Sequence, residues 1–346
     1  MSSLFGNSQD FFGLDIASNT IRVVYLHNGN PQKSLIKYAY VAIEPNISVS
    51  DAKKDVMKLA QAISQLLKQA NMGTNNVAVG IPSERVFTTL ADVDRLPNSE
   101  LTKAIKFEAD SLIPTPIDES TIDWAPIGDS PTDKTKQEIL LTSVANKYVE
   151  GRLDMLESIG LNVIAFEPDN LAMARALALP GIPAQLILDI GYRSTDLVIV
   201  YNGLPHLTRS IPTGTEAIVR TASQNLGVEE KQANQFLFKF GMSKDKLEGQ
   251  VFQAISGTMD LLTVEIEKSI KFFQNRYNTV KIDRIVLTGG AAVIPEFPLY
   301  VADKFGIAVE IGNTWQGVLY SKDRQNELSS ISHQFAVAVG LAERAG

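Results

Sequence analysis

Apolar residues fall into two kinds of block along this chain. Short unbroken runs mark strands, and longer stretches with an apolar residue every three or four positions mark helices. The run Phe11 to Ile16 breaks at a small, hydroxyl-rich corner, Ala17-Ser18-Asn19-Thr20, and a second run from Ile21 to Leu26 follows, which predicts a hairpin. A third strand spans Leu35 to Ile43. Asp51 to Gln69 carries Val56, Leu59, Ala60, Ile63, Leu66 and Leu67 at helical spacing, and Asn75 to Ile81 reads as a buried strand stopped by Pro82. Residues 11–82 are expected to share one mixed sheet.

From Arg85 the pattern changes. Strands are predicted over Arg85 to Asp92, Ser120 to Pro126 and Glu138 to Val144, with helices over Asn98 to Ser111 and Asn146 to Ile159 and a polar hairpin tip at Gly128 to Gln137. Ile113-Pro114-Thr115-Pro116 ends the first of these helices and fixes an extended loop. The block reads as an inserted module. A strand over Val163 to Phe166 leads through Glu167-Pro168-Asp169 into a helix, Asn170 to Leu179, and Pro180-Gly181-Ile182-Pro183 reads as a linker. Beyond it, Ile187-Leu188-Asp189-Ile190-Gly191-Tyr192-Arg193-Ser194-Thr195-Asp196 and the run Leu197 to Tyr201 repeat the plan of the first hairpin. Residues 216–277 read as largely helical, Arg284 to Leu287 as a strand before Thr288-Gly289-Gly290-Ala291-Ala292, and Phe335 to Ala345 as a small-residue helix.

Composition narrows the function classes. With 346 residues, 45% hydrophobic and 21% charged, the chain is long enough for two cored domains and is not disordered. A net charge of −7 without a basic stripe argues against nucleic acid or an anionic membrane as the main partner. Cysteine is absent, which removes disulfides and thiolate chemistry. Met1 to Asp10 lacks the plan of a signal peptide and no apolar run reaches spanning length, so a cytoplasmic protein without membrane insertion is expected. His27, His206 and His333 stand far apart with no second ligand at zinc spacing, no Ser-His-Asp arrangement is legible, and Phe272, Phe273 and Tyr277 read as core.

The duplicated turn carries the chemistry. Each copy ends an apolar run in an aspartate, Asp15 or Asp189, and follows it with backbone amides and hydroxyls that suit phosphate oxygens, the carboxylate being placed to hold magnesium through water. Two such turns facing one another would grip one nucleotide.

These motifs, in this order, resemble the actin, sugar-kinase and heat-shock-chaperone superfamily of two-lobed ATP-binding proteins. Within it the chain is most similar to the PilM family, the cytoplasmic actin-like components of type IV pilus assembly. The residues that carry the resemblance are Gly13 to Ser18 with Ile21 to Val24, Leu112 to Glu119, Phe166 to Ala172, Asp189-Ile190-Gly191 and Val286 to Gly290. It runs from Phe12 to about Ala345. The insertion is similar in place to that of PilM and of the cell-division protein FtsA. FtsA ends in an amphipathic membrane-targeting helix, and no such tail is expected here.

The resemblance implies an α/β, actin-like (ribonuclease H-like) two-lobed ATPase fold with an FtsA-type inserted subdomain. Its first-lobe core would be 11–82, 161–182 and 325–346, the insert 83–160, the second-lobe core 183–215 and 280–324, and a helical subdomain 216–279. ATP and Mg2+ are the implied cofactors. Ser18, Asn19 and Thr20 would meet the β- and γ-phosphates, Gly191, Ser194 and Thr195 would form the second phosphate turn, and Asp15 and Asp189 would reach the hydrated metal. Ala17 departs from the glycine common in relatives and narrows the first turn. Gly289, Gly290 and Ala291 would lie against the adenosine, flanked by Glu267 and Lys271, which also read as an ordinary i,i+4 helix pair. Glu167 is the implied catalytic acid orienting the attacking water, and equally a helix cap. The implied partner is a PilN-like inner-membrane protein whose cytoplasmic N-terminal peptide lies in a groove walled by Arg85, Ile113, Pro114 and Pro116, with other proteins of the pilus platform as further partners. That makes the chain an ATP-binding scaffold peripheral to the inner membrane, with weak or partner-dependent ATPase activity at most. An FtsA-like filament protein and a small-molecule kinase on the same fold are the rival readings.

Overall fold

The computed structural model describes residues 10–27, 29, 32–45 and 47–344. The readings made for Met1 to Gln9's stretch and for Ala345 lie outside the described residues. The chain divides into two compact units, one of residues 1–82, 147–176 and 313–346, the other of residues 83–146 and 177–312.

In chain order, β1 (Phe12–Ile16), β2 (Thr20–His27), β3 (Lys33–Ala42), α1 (Lys53–Ala70) and β4 (Asn76–Ile81) open the first unit. β5 (Val86–Asp94), α2 (Asn98–Leu112), β6 (Ser120–Asp129) and β7 (Lys136–Ala145) form the module, followed by α3 (Asn146–Ser158), β8 (Asn162–Pro168) and α4 (Asp169–Leu177). Next come β9 (Ala184–Ile190), β10 (Thr195–Tyr201), β11 (Leu204–Ile211), α5 (Thr215–Leu226), α6 (Glu230–Phe240) and α7 (Gln250–Arg276). β12 (Arg284–Thr288), α8 (Phe297–Phe305), β13 (Ala308–Ile311), β14 (Val318–Leu319), α9 (Gln325–Ile331) and α10 (Ala336–Ala342) complete the chain.

The first unit is built on a six-stranded sheet in the order β14-β3-β2-β1-β4-β8. β1 pairs antiparallel with β2 and parallel with β4, so the strands expected within 11–82 do share one mixed sheet. All five residues of β1 are buried, as befits a central strand. Phe12, Leu14, Ile21 and Val23 join Leu59, Ile63 and Leu66 of α1 in the core. The other face of β1 is covered by α10, and Gly13 makes the approach possible: a Cβ there would lie 2.3 Å from the Ala338 carbonyl oxygen.

The second unit holds a five-stranded sheet, β11-β10-β9-β12-β13, and the module's three-stranded antiparallel sheet, β5-β7-β6. α5, α6 and α7 supply one large core with β9 and β10, through Leu186, Leu188, Ile218, Leu237, Ile266 and Phe273 among others. The module has its own core, in which Val93, Leu101, Ile105, Ile139 and Leu141 meet Ile113. A buried polar joint ties the module to the end of α7. Arg276 donates to Asp92 at 2.6 Å and to Glu138 at 2.5 Å, and the Tyr277 hydroxyl donates to Glu138 as well. Glu138 is 1% exposed, so its charge is tolerated only because these donors surround it. No helix among the described residues is long and apolar enough to cross a membrane.

Candidate functional site

The β1–β2 hairpin closes with Ala17 N–H donating to the Thr20 carbonyl at 3.0 Å, and register places Ile16 opposite Ile21 and Asp15 opposite Arg22. The corner is pinned from outside: Ile43 N–H donates to the Asn19 carbonyl at 2.9 Å and the Ser48 hydroxyl to the Ser18 carbonyl at 3.1 Å. The carbonyls of Ser18 and Asn19 are thus drawn toward the flanking chain, and the Thr20 hydroxyl donates to the Asn19 side chain at 3.2 Å. Asp15 is buried, and Arg22 Nη1 donates to its Oδ2 at 3.1 Å. Burial pushes the Asp15 carboxyl up while Arg22 pulls it back. The sequence reading of Asp15 as a metal-facing acid left Arg22 out, although a tight hairpin around Ala17 to Thr20 already places residue 22 across from 15.

Glu167 is the penultimate residue of β8 and is buried, and Arg175 of α4 reaches both of its carboxylate oxygens while Arg344 Nη1 donates to Oε2 at 3.2 Å. Arg175 Nη1 also donates to the Gly340 carbonyl of α10 at 2.6 Å. The acid implied to orient a water is therefore held by two guanidiniums and joins β8, α4 and the end of α10. These partners stand 8 and 177 positions away in the sequence, and only the nearer one was open to helix-spacing arguments.

In the second unit, Asp189 near the end of β9 faces Thr288 on β12 and Asp196 on β10. Gly289 has φ +84° and a Cβ on it would lie 2.1 Å from Asp189 Oδ1 and 2.6 Å from the Ile190 carbonyl, so the backbone of the Gly-Gly turn lies directly against the carboxylate. Sequence reading placed these residues in one site, and the structure brings Asp189 and Gly289 together. Gly290 starts a short 3-10 turn and Ala291 is buried in the core, which leaves its backbone alone for any ligand.

The second phosphate-type turn is closed on itself. Gly191 N–H donates to the Ser194 carbonyl at 2.9 Å, the Ser194 hydroxyl donates to Asp196 Oδ2 at 3.3 Å, and the buried Thr195 hydroxyl donates to the Thr213 carbonyl at 2.7 Å. The start of α5 meets the same turn, Thr215 and Glu216 amides donating to the carbonyls of Gly191 and Tyr192. Burial pushes Asp196 up to about 6.

Glu267 and Lys271 pair at 2.6 Å on an exposed face of α7. Of the residues expected to wall a partner groove, Arg85 lies in a short turn before β5, and Pro114 and Pro116 are exposed before β6. Val86 and Thr121 both flank Val144 in register, so these residues gather at one end of the module's sheet. Ile113 does not line that surface. It is 7% exposed and packs inward as the last turn of α2 delivers it to the module core. Among the described residues, no three His, Asp or Glu side chains cluster for a metal ion.

A family model, type IV pilus assembly protein PilM, matches residues 13–345. The chain belongs to the PilM family. A solved PilM-PilN type IV pilus biogenesis complex is similar over 96% of this chain and 98% of that one, at 24% identity and a TM-score of 0.82. The ethanolamine utilization protein EutJ from Carboxydothermus hydrogenoformans is similar over 96% of this chain and 88% of its own at 13% identity and a TM-score of 0.56. MreB5 of Spiroplasma citri bound to ADP is similar over 96% and 95% at 14% identity and a TM-score of 0.51. The actin-like ATPase fold expected of a PilM relative, α/β with an inserted module, is borne out, and the chain is a type IV pilus assembly protein by family.

Proposed function

We propose that this PilM-family chain is an ATP-binding scaffold that sits on the cytoplasmic side of the inner membrane by holding the N-terminal tail of a PilN-like protein. The observation that carries the nucleotide half is the cradle in which Gly289, with positive φ and no Cβ, lies against Asp189. Only a glycine fits there, and such a turn lets a ribose and phosphates approach backbone and carboxylate together. MreB5, similar in fold, is described bound to ADP. In this reading the backbone and hydroxyls of Ser18, Asn19 and Thr20 in the first unit, and of Gly191 and Ser194 in the second, are each suited to phosphate oxygens, and Gly290 and Ala291 would meet an adenosine by their backbone.

The residues fit magnesium held through its water shell rather than in a protein cage, since among the described residues no three acidic or histidine side chains gather about one point. Asp15 and Asp189 are the metal-facing acids of this reading. Asp15 shares its charge with Arg22 and joins only as that ion pair loosens. Glu167, engaged by Arg175 and Arg344, is not poised to position a water, so slow turnover is expected of the isolated chain. Bound, the nucleotide and its metal would supply the charges that these amides, hydroxyls and carboxylates are suited to meet.

The partner half rests on the exposed Pro114 and Pro116 beside Arg85 at one end of the module, an arrangement that suits an extended peptide. The deciding experiment is calorimetric titration of the full chain with ATP and Mg2+, with and without a synthetic PilN-like tail peptide. Saturable binding of both supports the proposal, and absence of nucleotide binding in magnesium would sink it.

A further inference from the structure

One edge of the first unit's sheet is left unguarded. β14 pairs with β3 only at Lys33 and Ser34, so among the described residues the outer edge of β3 from Leu35 onward has no ladder partner. No residue of β3 is buried, whereas every residue of β1 is. Soluble proteins protect such an edge with lysine, proline or a very short strand. β3 has ten residues and no proline. Its two lysines are drawn off the edge: Lys33 Nζ donates to the carbonyls of Ala342 and Arg344 at 3.4 and 3.1 Å, and Lys37 Nζ to the carbonyl of Asn71 at the end of α1. What remains is apolar, with Ile36 and Tyr40 exposed on β3 and Leu319 on neighbouring β14.

Register decides which backbone groups the edge offers. Ile43 N–H donates to the Asn19 carbonyl at 2.9 Å, and alternation along an antiparallel pair then turns the N–H and C=O groups of Val41 and Ala39 toward β2 and those of Ala42, Tyr40 and Tyr38 away from it. Nearer the start of β3 the register shifts and Ile36 has no opposite residue on β2, which ends the regular edge. The outward residues are therefore spaced evenly about Tyr40. Its ring is 53% exposed and lies edge-on to Phe335 at 5.9 Å. Tyr38 is engaged through its ring by Arg324 at 5.0 Å and through its hydroxyl by Glu327 of α9. Side chains stand perpendicular to a sheet, so these contacts cover a face of the strand and leave its edge open.

We propose that this edge pairs with the same edge of a second copy of the chain, antiparallel, about a two-fold axis at Tyr40. In that register the N–H and C=O groups of Tyr40 meet those of Tyr40 in the second copy, and those of Tyr38 meet those of Ala42, so every outward group finds a partner. The side chains agree with it. Tyr40 faces its own counterpart, Ala39 faces Val41 and Lys37 faces Ile43, so no charge opposes a like charge. A pattern symmetric about one residue is complementary to itself, which favours a second copy over a peptide of another sequence, and such a contact closes at two chains. It is independent of the nucleotide and tail readings.

The chain has no cysteine, so single introduced cysteines report the register. Tyr40→Cys should give a disulfide-linked dimer under mild oxidation, since hydrogen-bonded partners lie about 5.5 Å apart at Cα, within disulfide reach. Tyr38→Cys and Ala42→Cys should not, each standing about 13 Å along the strand from its own counterpart. Sedimentation equilibrium of the full chain should show a monomer–dimer equilibrium. Tyr40→Glu, which sets two carboxylates against each other, and Ala42→Pro, which removes an N–H that β2 does not use, should each weaken it about tenfold or more with an unchanged circular dichroism spectrum. The proposal is overturned by a monomer at concentrations up to about 100 μM, by a dimer indifferent to both substitutions, or by cross-linking at position 38 or 42 rather than 40. Slowed amide exchange at Tyr38, Tyr40 and Ala42 that needs an added protein of another sequence would overturn it too.

Discussion

Arg175 grips Glu167 through both of its terminal nitrogens. With Arg344 added, a buried carboxylate that family resemblance would assign to water activation is instead the centre of an ion-pair cluster. Removing the grip leaves that charge largely uncompensated, so Arg175→Met should lower unfolding stability by about 2–4 kcal/mol, the residual Arg344 contact keeping it below a complete loss. Urea denaturation measures this. Glu167→Gln should leave ATP affinity unchanged, and a large fall in affinity would show that the acid contacts ligand.

Burial pushes Glu343 up to about 7, against the pull of Lys33 and Arg175. Since the folded state holds this proton more tightly than the unfolded chain, native Glu343 binds more protons across the interval, and its contribution falls as pH rises from about 4.5 to about 7. Glu343→Gln should therefore flatten the stability profile there, the two curves diverging by at most about 3 kcal/mol at neutral pH in favour of the variant. Thermal melts of both proteins between these limits test the sign, and the histidines cancel in the difference.

Gly289 and Gly290 offer a matched pair. Gly289→Ala meets Asp189 Oδ1 and keeps a positive φ, whereas a Cβ on Gly290 meets nothing within 4 Å. The first substitution should cost about 1–3 kcal/mol and reduce ATP affinity by about tenfold or more. The second should fold normally. Equal affinities for the two variants would remove the cradle from the nucleotide site.

Lys271 separates helix decoration from ligand contact. Its pair with Glu267 is exposed, so Lys271→Ala should change stability by under about 0.5 kcal/mol. Loss of ATP affinity at unchanged stability is the expected result, read by calorimetry beside a denaturation curve.

Ile113 and Pro114 divide the module's core from its surface. Ile113→Ala opens a cavity in a packed cluster and should cost about 2–5 kcal/mol. Pro114→Ala should leave stability within about 1 kcal/mol while weakening a bound tail peptide. Comparison of denaturation with peptide titration for both variants checks the division.

What could be read from the sequence follows the range over which residues act. The hairpins at Asp15 and Asp189 were legible because turn chemistry and apolar runs are local, and the inserted module showed itself by its two prolines and polar tip. β11 escaped notice because Pro205 and His206 break its apolar run, and β13 and β14 because outer strands of 4 and 2 residues leave no periodic signal. The partners of Glu167 and Glu138 were hidden for a different reason. Ion pairs between residues 138 and 276, or 167 and 344, are settled by topology and not by spacing. Ile113 shows the limit within one loop: adjoining exposed prolines, it turns inward because α2 delivers it there.

The contact between Gly13 and α10 also bears on how the protein folds. The central strand of the first sheet is covered, backbone against backbone at Ala338, by a helix far from it in sequence. Until that helix docks, β1 keeps an open face. The second unit, whose strands and helices lie mostly within one continuous stretch, closes over shorter separations. Non-local closure is slow, so docking of α10, and not formation of the β1–β2 turn itself, decides when that hairpin acquires its lasting support.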